Sequence, residues 1–255
     1  MTPAERRQEI VTLIRQRGRI TVDELAARLD ISRETIRRDL TRLAQSGLVQ
    51  KFHGGASLPL TTGEAPFRAR MSDHALEKAR IAVKAATLIS PGETVFVDTG
   101  STTVYFAEEL AKVGNLTVIT NSAEIARIMD KSGAGCRAFM LGGEFHSGNR
   151  QTAGPMAIAQ ARLFRAHHCV LTIGALDVRT GVMDFNIEEA QVARAMIEQA
   201  ESLTILVDSS KFGAIASFEV CPLSRIGNLV CDARPDPELM AALEKNGVRV
   251  HLATA

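Results

Sequence analysis

The last three quarters of the chain alternate short apolar runs with helical segments, and this alternation limits the folds open to it. The runs, such as "TVFVD" and "LTVIT", are five to seven residues long. Strands that are apolar on both faces and separated by helices are typical of a parallel sheet covered on both sides. The sequence therefore predicts an α/β domain with strands at 94–98, 116–120, 137–141, 169–175, 202–208, 228–232 and 248–252, and with helices that include 75–90, 102–113, 122–132 and 187–201.

The first 57 residues carry the signals of three helices followed by a hairpin. Apolar residues at helical spacing indicate the first helix, and Gly18 ends it. Thr21 and Glu24 form a T-x-x-E capping box at the start of the second helix, and Ser32 is the expected N-cap of the third. "LVQKFHGGA" then predicts a short strand, a Gly-Gly turn and a return strand. The predicted helices span 3–17, Thr21 to Leu29, and Ser32 to about Ser46.

Residues 58–73 differ from both parts, with two prolines, a glycine and several small polar residues. Such a composition favours a linker. The predicted organisation is a small domain over 1–57, a linker over 58–73 and an α/β domain over 74–255.

Several protein classes are excluded by what the sequence lacks. It has no run of about 18 apolar residues and no apolar signal-peptide core, so we expect no membrane association. Its four cysteines form no C-x-x-C pair and no Cys/His cluster. We therefore expect free thiols in the reducing cytoplasm, no metal and no cofactor.

The charge is uneven along the chain although the total is only +1. Residues 1–57 contain eleven Lys/Arg and seven Asp/Glu, a net charge of +4, whereas the remainder carries −3. A basic end on a mildly acidic body indicates that only the small domain meets a polyanion.

The third helix, within "ISRETIRRDLTRL", concentrates this charge on one face. At about 100° per residue, Ile36, Leu40 and Leu43 share the inner face, while Glu34, Arg38 and Thr41 point away from it and Thr35 and Arg37 flank them. The arginines lie at the N-terminal end of the exposed face of this helix, as in helices that enter a major groove. An ordinary solvated helix face is the alternative. The capped preceding helix, the short turn and the basic "QKFHGGA" hairpin favour DNA binding.

"SRETIRRDLTRLAQSGLVQKFHGGA" resembles the signature of the DeoR family of bacterial transcription regulators. The T-I-R-R-D-L core and the H-G-G-A wing tip both match, in the right order and spacing. The resemblance implies a winged helix-turn-helix that binds double-stranded operator DNA. The residues that we expect to contact DNA are Ser32, Arg33, Glu34, Thr35, Arg37, Arg38, Thr41, Lys51, His53 and Gly54.

Polar residues follow several predicted strands, at the sheet edge where ligands of parallel sheets bind. "DTGSTT" at 98–103 opens a helix, and its N–H groups and hydroxyls suit a phosphate; a plain capped turn is the alternative. "TNS" at 120–122 either caps a helix or touches a ligand hydroxyl. "LGG" at 141–143 either forms a simple turn or allows a close approach of the backbone to a ligand. "DSSKF" at 208–212 adds a lysine, a residue type that usually lies on the surface.

These motifs also resemble the C-terminal domain of the DeoR family, which looks like ribose-5-phosphate isomerase and senses phosphorylated sugars or polyols. The candidate effector contacts are Asp98, Gly100, Ser101, Thr102, Thr103, Thr120, Asn121, Ser122, Gly142, Gly143, Asp177, Glu189 and Lys211. The isomerases place a lysine in a glycine-rich stretch where this chain has "DVRTGVMDFNIEE", with Arg179 and no lysine. With that lysine missing, we expect binding without turnover and no catalytic residue.

The favoured interpretation is a repressor of a carbohydrate or polyol operon, a homodimer or homotetramer that a phosphorylated effector releases from its operator. An isomerase with an accessory DNA-binding module and a ligand-free oligomeric scaffold are the alternatives. The sequence does not identify the effector, the operator or the oligomeric state, and it does not decide whether the protein represses or activates transcription.

Overall fold

The computed structural model describes residues 2–45, 49–52, 54–57 and 63–254. Contacts divide the chain into two compact units, Met1–Thr61 and Thr62–Ala255. The division falls inside the stretch that the sequence predicts as a linker.

The first unit contains three helices and a small antiparallel sheet, as the sequence predicts. The strand β3 lies in the middle of the sheet between β1 and β2, with Ala56 opposite both Ile20 and Lys51. Thr21 and Glu24 form the expected capping box. The elements are α1 (Pro3–Arg17), β1 (Arg19–Thr21), α2 (Val22–Leu29), α3 (Arg33–Gln45), β2 (Gln50–Phe52) and β3 (Gly55–Ser57). The predicted helix end at Ser46 lies outside the described residues.

The second unit is built on a seven-stranded parallel sheet, and the predicted α/β fold is confirmed. The strand order is β15-β14-β12-β9-β4-β5-β6. In chain order these strands are β4 (Thr94–Val97), β5 (Thr117–Thr120), β6 (Arg137–Met140), β9 (Ala166–Thr172), β12 (Ala200–Val207), β14 (Asn228–Cys231) and β15 (Arg249–Leu252).

Both faces of this sheet are buried, which explains why its strands read as continuous apolar runs. In β4, Phe96 packs into one hydrophobic cluster, while Val95 and Val97 pack into the other. The helices of the second unit are α4 (Phe67–Ser72), α5 (Ala75–Ala86), α6 (Ser101–Val113), α7 (Ala123–Lys131), α8 (Pro155–Ala161), α9 (Ile187–Glu198) and α10 (Pro237–Lys245).

Two smaller antiparallel sheets lie outside the main one. One is the pair β7 (Glu144–His146) and β8 (Gln151–Ala153). The other has the order β10-β11-β13, formed by β10 (Ala175–Asp177), β11 (Gly181–Asp184) and β13 (Phe218–Cys221). The sequence analysis does not anticipate either sheet, nor α8 and α10.

The structure differs from the predicted linker over residues 67–72, which form α4. Phe67 is buried and Met71, one helical turn later, packs against the same cluster. Tertiary burial of this pair outweighs the prolines and glycine that suggest a linker.

Two predicted boundaries are also wrong. The strand predicted over 169–175 ends at Thr172, and Ala175 belongs to the separate strand β10. The N–H of Gly174 already donates to the carbonyl of Met183 in β11 at 3.1 Å, so the chain has left the main sheet there. The helix predicted over 187–201 ends at Glu198, because Ala200 already pairs with Ala166 in the sheet.

Over the described residues, no helix is long and apolar enough to cross a membrane. The four cysteines are free thiols. Within the same ranges, no three His, Cys, Asp or Glu side chains come together in a way that could hold a metal ion.

Candidate functional site

The helix α3 has the orientation that its sequence predicts. Ile36, Leu40 and Leu43 are buried in the core of the first unit. Arg33, Arg37 and Arg38 are exposed, with 62–78% of each side chain accessible. The helix therefore buries its apolar stripe and presents a basic face.

The exposed arginines are held by nearby carboxylates. Arg38 Nε lies 3.4 Å from Glu34 and Arg37 lies 4.0 Å from it, while Arg33 pairs with Asp23 at 2.8 Å. Exposed ion pairs such as these contribute at most about 1 kcal/mol to the stability of the fold. They pre-arrange the guanidinium groups yet are weak enough to exchange for another anion.

Asp39, which follows the arginine pair, has a structural role that the sequence analysis does not identify. It is 3% exposed, and its carboxylate accepts from Arg6 Nε at 2.5 Å with Arg7 3.6 Å away. The pair joins α1 to α3, and its two residues are 33 positions apart in the sequence. Because the partners are distant in sequence, no local spacing reveals it.

The hairpin that follows α3 has the glycine turn expected of a wing. Gly54 has a φ of +89°, a conformation that favours glycine. At Gly55 a Cβ would lie 2.4 Å from the carbonyl of Ile20, so the strands can approach only with glycine there. Lys51 Nζ donates to Thr41 Oγ1 at 2.9 Å and thereby joins the wing to α3. His53, a predicted DNA contact, lies outside the described residues.

Ser32 and Thr35, two further predicted DNA contacts, form the cap of α3. The backbone N–H of Thr35 donates to Ser32 Oγ at 3.3 Å, and the two hydroxyls lie 2.9 Å apart. Both side chains therefore fix the N-terminal turn from which the arginines project.

In the second unit, the carboxyl ends of three strands surround one pocket. Ser101 and Thr102 begin α6 after β4, Thr172 ends β9, and Lys211 follows β12. This convergence is what the parallel-sheet prediction implies. The pocket is lined by Glu64, Arg70, Asp73, His74, Lys78, Ser101, Thr102, Thr172, Ile173, Val207, Asp208, Ser210 and Lys211.

Other predicted contacts in the 98–103 loop do not line the pocket, but two of them contact Thr172, which does. Asp98 accepts from the backbone N–H of Thr172 at 3.3 Å, and burial raises its pKa well above the usual range. Thr103 is fully buried, and its hydroxyl donates to the carbonyl of Gly100 at 3.1 Å. Gly100 packs so closely on Thr172 that a Cβ would lie 1.9 Å from its methyl group.

The 120–122 loop is buried, and two of its three polar side chains serve the backbone. Thr120 Oγ1 accepts from the N–H of Ser122, and Ser122 Oγ caps α7. Asn121 donates to the carbonyl of Thr152 at 3.1 Å, but its Oδ1 is buried without a hydrogen-bond partner among the described residues. Asn121 Oδ1 is thus a buried acceptor of this loop without a partner among the described residues.

Two other predicted regions have structural partners. The Gly142 N–H donates to Gln160 at 2.7 Å, and a Cβ at Gly143 would meet the carbonyl of Ala153 at 2.4 Å. Asp177 accepts from the N–H groups of Arg179 and Thr180, which closes the turn between β10 and β11.

Glu189 belongs to a group of buried carboxyls near Asp98. Its Oε1 accepts from Asn149 and Gln151, both at 2.7 Å. Burial raises the pKa of Glu189, and burial together with Glu189 raises the pKa of Asp184 to about 7. Carboxyls in such a setting can exchange hydrogen bonds with the hydroxyls of a polyol.

The cationic side chains beside these acids come partly from the predicted linker. Arg70, in α4, forms an ion pair with Glu64 and donates to Asn149 Oδ1 at 3.1 Å. Lys211 Nζ lies 3.2 Å from Glu64. Asn149 therefore connects the cationic group with Glu189. Sequence reasoning missed Glu64, Arg70 and Lys78 because it treats 58–73 as a linker and gives 75–90 no site residue.

Comparison with known proteins assigns both units to one family. The model described as "DeoR-like helix-turn-helix domain" matches residues 6–62, and "DeoR C terminal sensor domain" matches residues 73–233. The glycerol-3-phosphate regulon repressor of Escherichia coli is 32% identical over 253 residues, covering 99% of this chain and 100% of that protein. The transcriptional repressor AccR of Agrobacterium fabrum is 34% identical over 231 residues, or 90% of this chain and 89% of that one.

Solved structures show more distant likeness. Ribose 5-phosphate isomerase A of Methanocaldococcus jannaschii has 16% identity and a TM-score of 0.40 over 55% of each chain. The eIF2B beta subunit of Chaetomium thermophilum has 13% identity and a TM-score of 0.47, over 84% of this chain and 60% of that one. Nothing about activity follows from similarity at this level.

The predicted family is thus confirmed by full-length relatives and by models for both units. With its basic helix α3, its wing and its C-terminal sensor unit, this chain belongs to the DeoR family of DNA-binding transcription regulators.

Proposed function

We propose that this protein represses a carbohydrate or polyol operon, binding double-stranded operator DNA through α3 and the wing and leaving it when a phosphorylated sugar or polyol binds the second unit. The observation that supports DNA binding most directly is the exposed row of Arg33, Arg37 and Arg38 above a buried apolar stripe. Repression is suggested by the printed functions of relatives such as the glycerol-3-phosphate regulon repressor.

The proposed DNA contacts are the residues that α3 and the wing present. Arg37 and Arg38 are candidates for base or phosphate contacts, and Lys51 and Gly54 belong to the wing. The other proposed DNA contacts are Ser32, Arg33, Glu34, Thr35, Thr41 and His53.

Electrophoretic mobility shift with the promoter DNA upstream of the chain's own gene cluster tests this surface. We expect Arg38→Ala to weaken binding about 5- to 100-fold, equivalent to about 1–3 kcal/mol. Arg165→Ala removes the same charge from an exposed site in the second unit and is the control. Unchanged affinity in Arg38→Ala, at matched salt, would remove this residue from the interface.

The pocket at the carboxyl ends of the strands suits an anion that carries hydroxyl groups. Ser101, Thr102, Arg70 and Lys211 supply donors for a phosphate. Glu189, Asp98 and the open Asn121 acceptor lie in the adjoining region, where a sugar or polyol has hydroxyls. The other predicted contacts, Gly100, Thr103, Thr120, Ser122, Gly142, Gly143 and Asp177, have backbone or packing roles, and we propose that they shape the site.

A thermal-stability screen of phosphorylated sugars and polyols, beginning with glycerol 3-phosphate, tests the effector class. A ligand that raises the melting temperature should also release operator DNA. In calorimetry, Thr102→Ala should lose most of the binding heat, whereas Thr87→Ala, an exposed threonine after α5, should keep it. If no phosphorylated compound stabilises the wild-type protein, the proposed effector class is wrong.

We further propose that the protein is a homodimer or homotetramer, since helix-turn-helix proteins commonly read two half-sites. Light scattering measures the mass of the free protein, and a promoter duplex shortened to one half-site tests the pairing. A monomer that binds one half-site as tightly as the full operator would contradict this.

A further inference from the structure

The carboxylate of Glu64 lies inside the pocket rather than at the surface. It pairs with both Arg70 and Lys211, and it lines the same pocket as Ser101 and Thr102. The side chains of Glu64 and Arg70 are only 16% and 12% exposed. Glu64 and its two cationic partners therefore share this recess with the hydroxyls of Ser101 and Thr102, and with the further carboxylates Asp73 and Asp208 and the cation Lys78.

The cations are well placed for an anion larger than a carboxylate. Besides its ion pair with Glu64, Arg70 donates a hydrogen bond to Asn149. Its Nε is buried with no hydrogen-bond partner among the described residues. Lys211 is 26% exposed, and of its three donor positions one faces Glu64 at 3.2 Å. This cationic pair thus retains donors that Glu64 does not satisfy.

The local backbone allows Glu64 to leave. Residues 64–66 belong to no helix or strand, and α4 begins only at Phe67. Arg70, by contrast, is fixed, because Lys78 Nζ donates to the carbonyls of Arg70 and Asp73 at 2.5 and 2.7 Å. Arg70 therefore keeps its contacts to Lys78 and Asn149 when the carboxylate moves.

We propose that Arg70 and Lys211 form an anion subsite that Glu64 occupies in the ligand-free chain, and that a phosphate group enters by displacing this carboxylate. The proposal deepens the proposed function and rests on it for the identity of the natural ligand. A phosphate carries more charge than a carboxylate and has three acceptor oxygens, so it satisfies the donors that Glu64 leaves open. Neutral sugars and weak anions cannot displace Glu64, so they are excluded from the subsite.

Calorimetric titration with inorganic phosphate tests the subsite without any knowledge of the effector. Glu64→Gln keeps the shape of the side chain and removes the competing charge. We expect this variant to bind phosphate about tenfold or more tightly than the wild-type protein, equivalent to about 1.4 kcal/mol. Adding Lys211→Met to Glu64→Gln should abolish the gain. Glu108→Gln, a substitution of an exposed acid on α6, should bind phosphate like the wild type.

Equal phosphate affinity in the wild type and Glu64→Gln overturns the proposal, as does the absence of phosphate binding in both. If Glu64→Gln is too unstable to titrate, Glu64→Ala, which also removes the competing charge, takes its place with the same expectation. The proposed function fails by a different readout, when no phosphorylated sugar or polyol releases the wild-type protein from its operator.

Discussion

At the scale of single residues, the buried pair between Asp39 and Arg6 joins two helices of the DNA-binding unit. Asp39 is 3% exposed, so its charge is stabilised by Arg6 and Arg7 rather than by water. Removing one partner of a buried pair leaves the other uncompensated. We expect Asp39→Ala to lower the free energy of unfolding of this unit by about 2–4 kcal/mol.

Denaturant unfolding of the full chain, with hydrogen exchange to localise the change to α1 and α3, measures this effect. Glu9→Gln, an exposed acid on α1, is the matched control and should change little. If Asp39→Ala unfolds like the control, the pair contributes nothing to the stability of the unit.

A second residue-scale prediction concerns Asp184, whose pKa is raised from 3.8 to about 7 by burial and by Glu189. Between these values the unfolded chain loses the proton while the folded chain keeps it, so stability falls as pH rises through this interval and then levels off. Asp184→Asn keeps the acceptor for the Asn186 N–H and removes the titration. We expect it to be more stable than the wild type by about 1–3 kcal/mol at pH 8 and to differ little at pH 4.

Urea unfolding at a series of pH values checks this prediction. Glu201→Gln, an exposed acid in β12, should track the wild type across the range. A stability difference between Asp184→Asn and the wild type that stays constant from pH 4 to 8 would show that Asp184 titrates normally.

At the scale of elements, the short helix α4 owes its position to a buried lysine in α5. Lys78 is 4% exposed and donates to the carbonyls of Arg70 and Asp73 at the end of α4. Lys78→Met fills the same space but leaves both carbonyls without this donor. We expect a loss of about 1–3 kcal/mol in the stability of the second unit and weaker binding of phosphorylated ligands through Arg70.

Denaturant unfolding and calorimetry with the same ligand measure the two effects. Lys112→Met on α6 removes an exposed lysine and is the control. Full stability and full affinity in Lys78→Met would show that α4 is held by its other contacts, such as the packing of Phe67 and Met71.

The elements also show what local sequence can and cannot predict. The central strands of the main sheet are found because they contain continuous apolar runs, and α3 is found because Ile36, Leu40 and Leu43 keep helical spacing. The strands β7 and β8 are missed because polar residues such as Glu144 and Gln151 interrupt any apolar pattern. The helix α10 has a readable signal, since Asp236 caps it and Pro237 occupies its first turn.

The site follows the same division. Ser101, Thr102 and Lys211 are predictable because they follow strands of a parallel sheet. Glu64 and Arg70 are not, because Glu64 pairs with Lys211, 147 residues away, and Arg70 donates to Asn149, 79 residues away. In addition, Phe67 makes a helix of a stretch with linker composition. Long-range ion pairs leave no periodic trace in the sequence.

At the scale of the whole molecule, each unit has a separate hydrophobic core, so operator and effector bind to independently packed parts of one chain. Binding linkage is reciprocal at equilibrium. If a phosphorylated ligand lowers operator affinity by some factor, saturating operator must lower the affinity for that ligand by the same factor, which is about 5- to 150-fold in typical allosteric proteins.

Calorimetric titration of the ligand into the full chain, with and without an operator duplex, measures this factor directly. A scrambled duplex of equal length controls for non-specific charge effects and should leave ligand affinity unchanged at physiological salt. Ligand affinity that is identical with operator and with scrambled DNA would mean that the ligand binds both states of the protein equally. Such a ligand cannot shift the population toward the DNA-free state, however tightly it binds, and it would therefore not be the inducer.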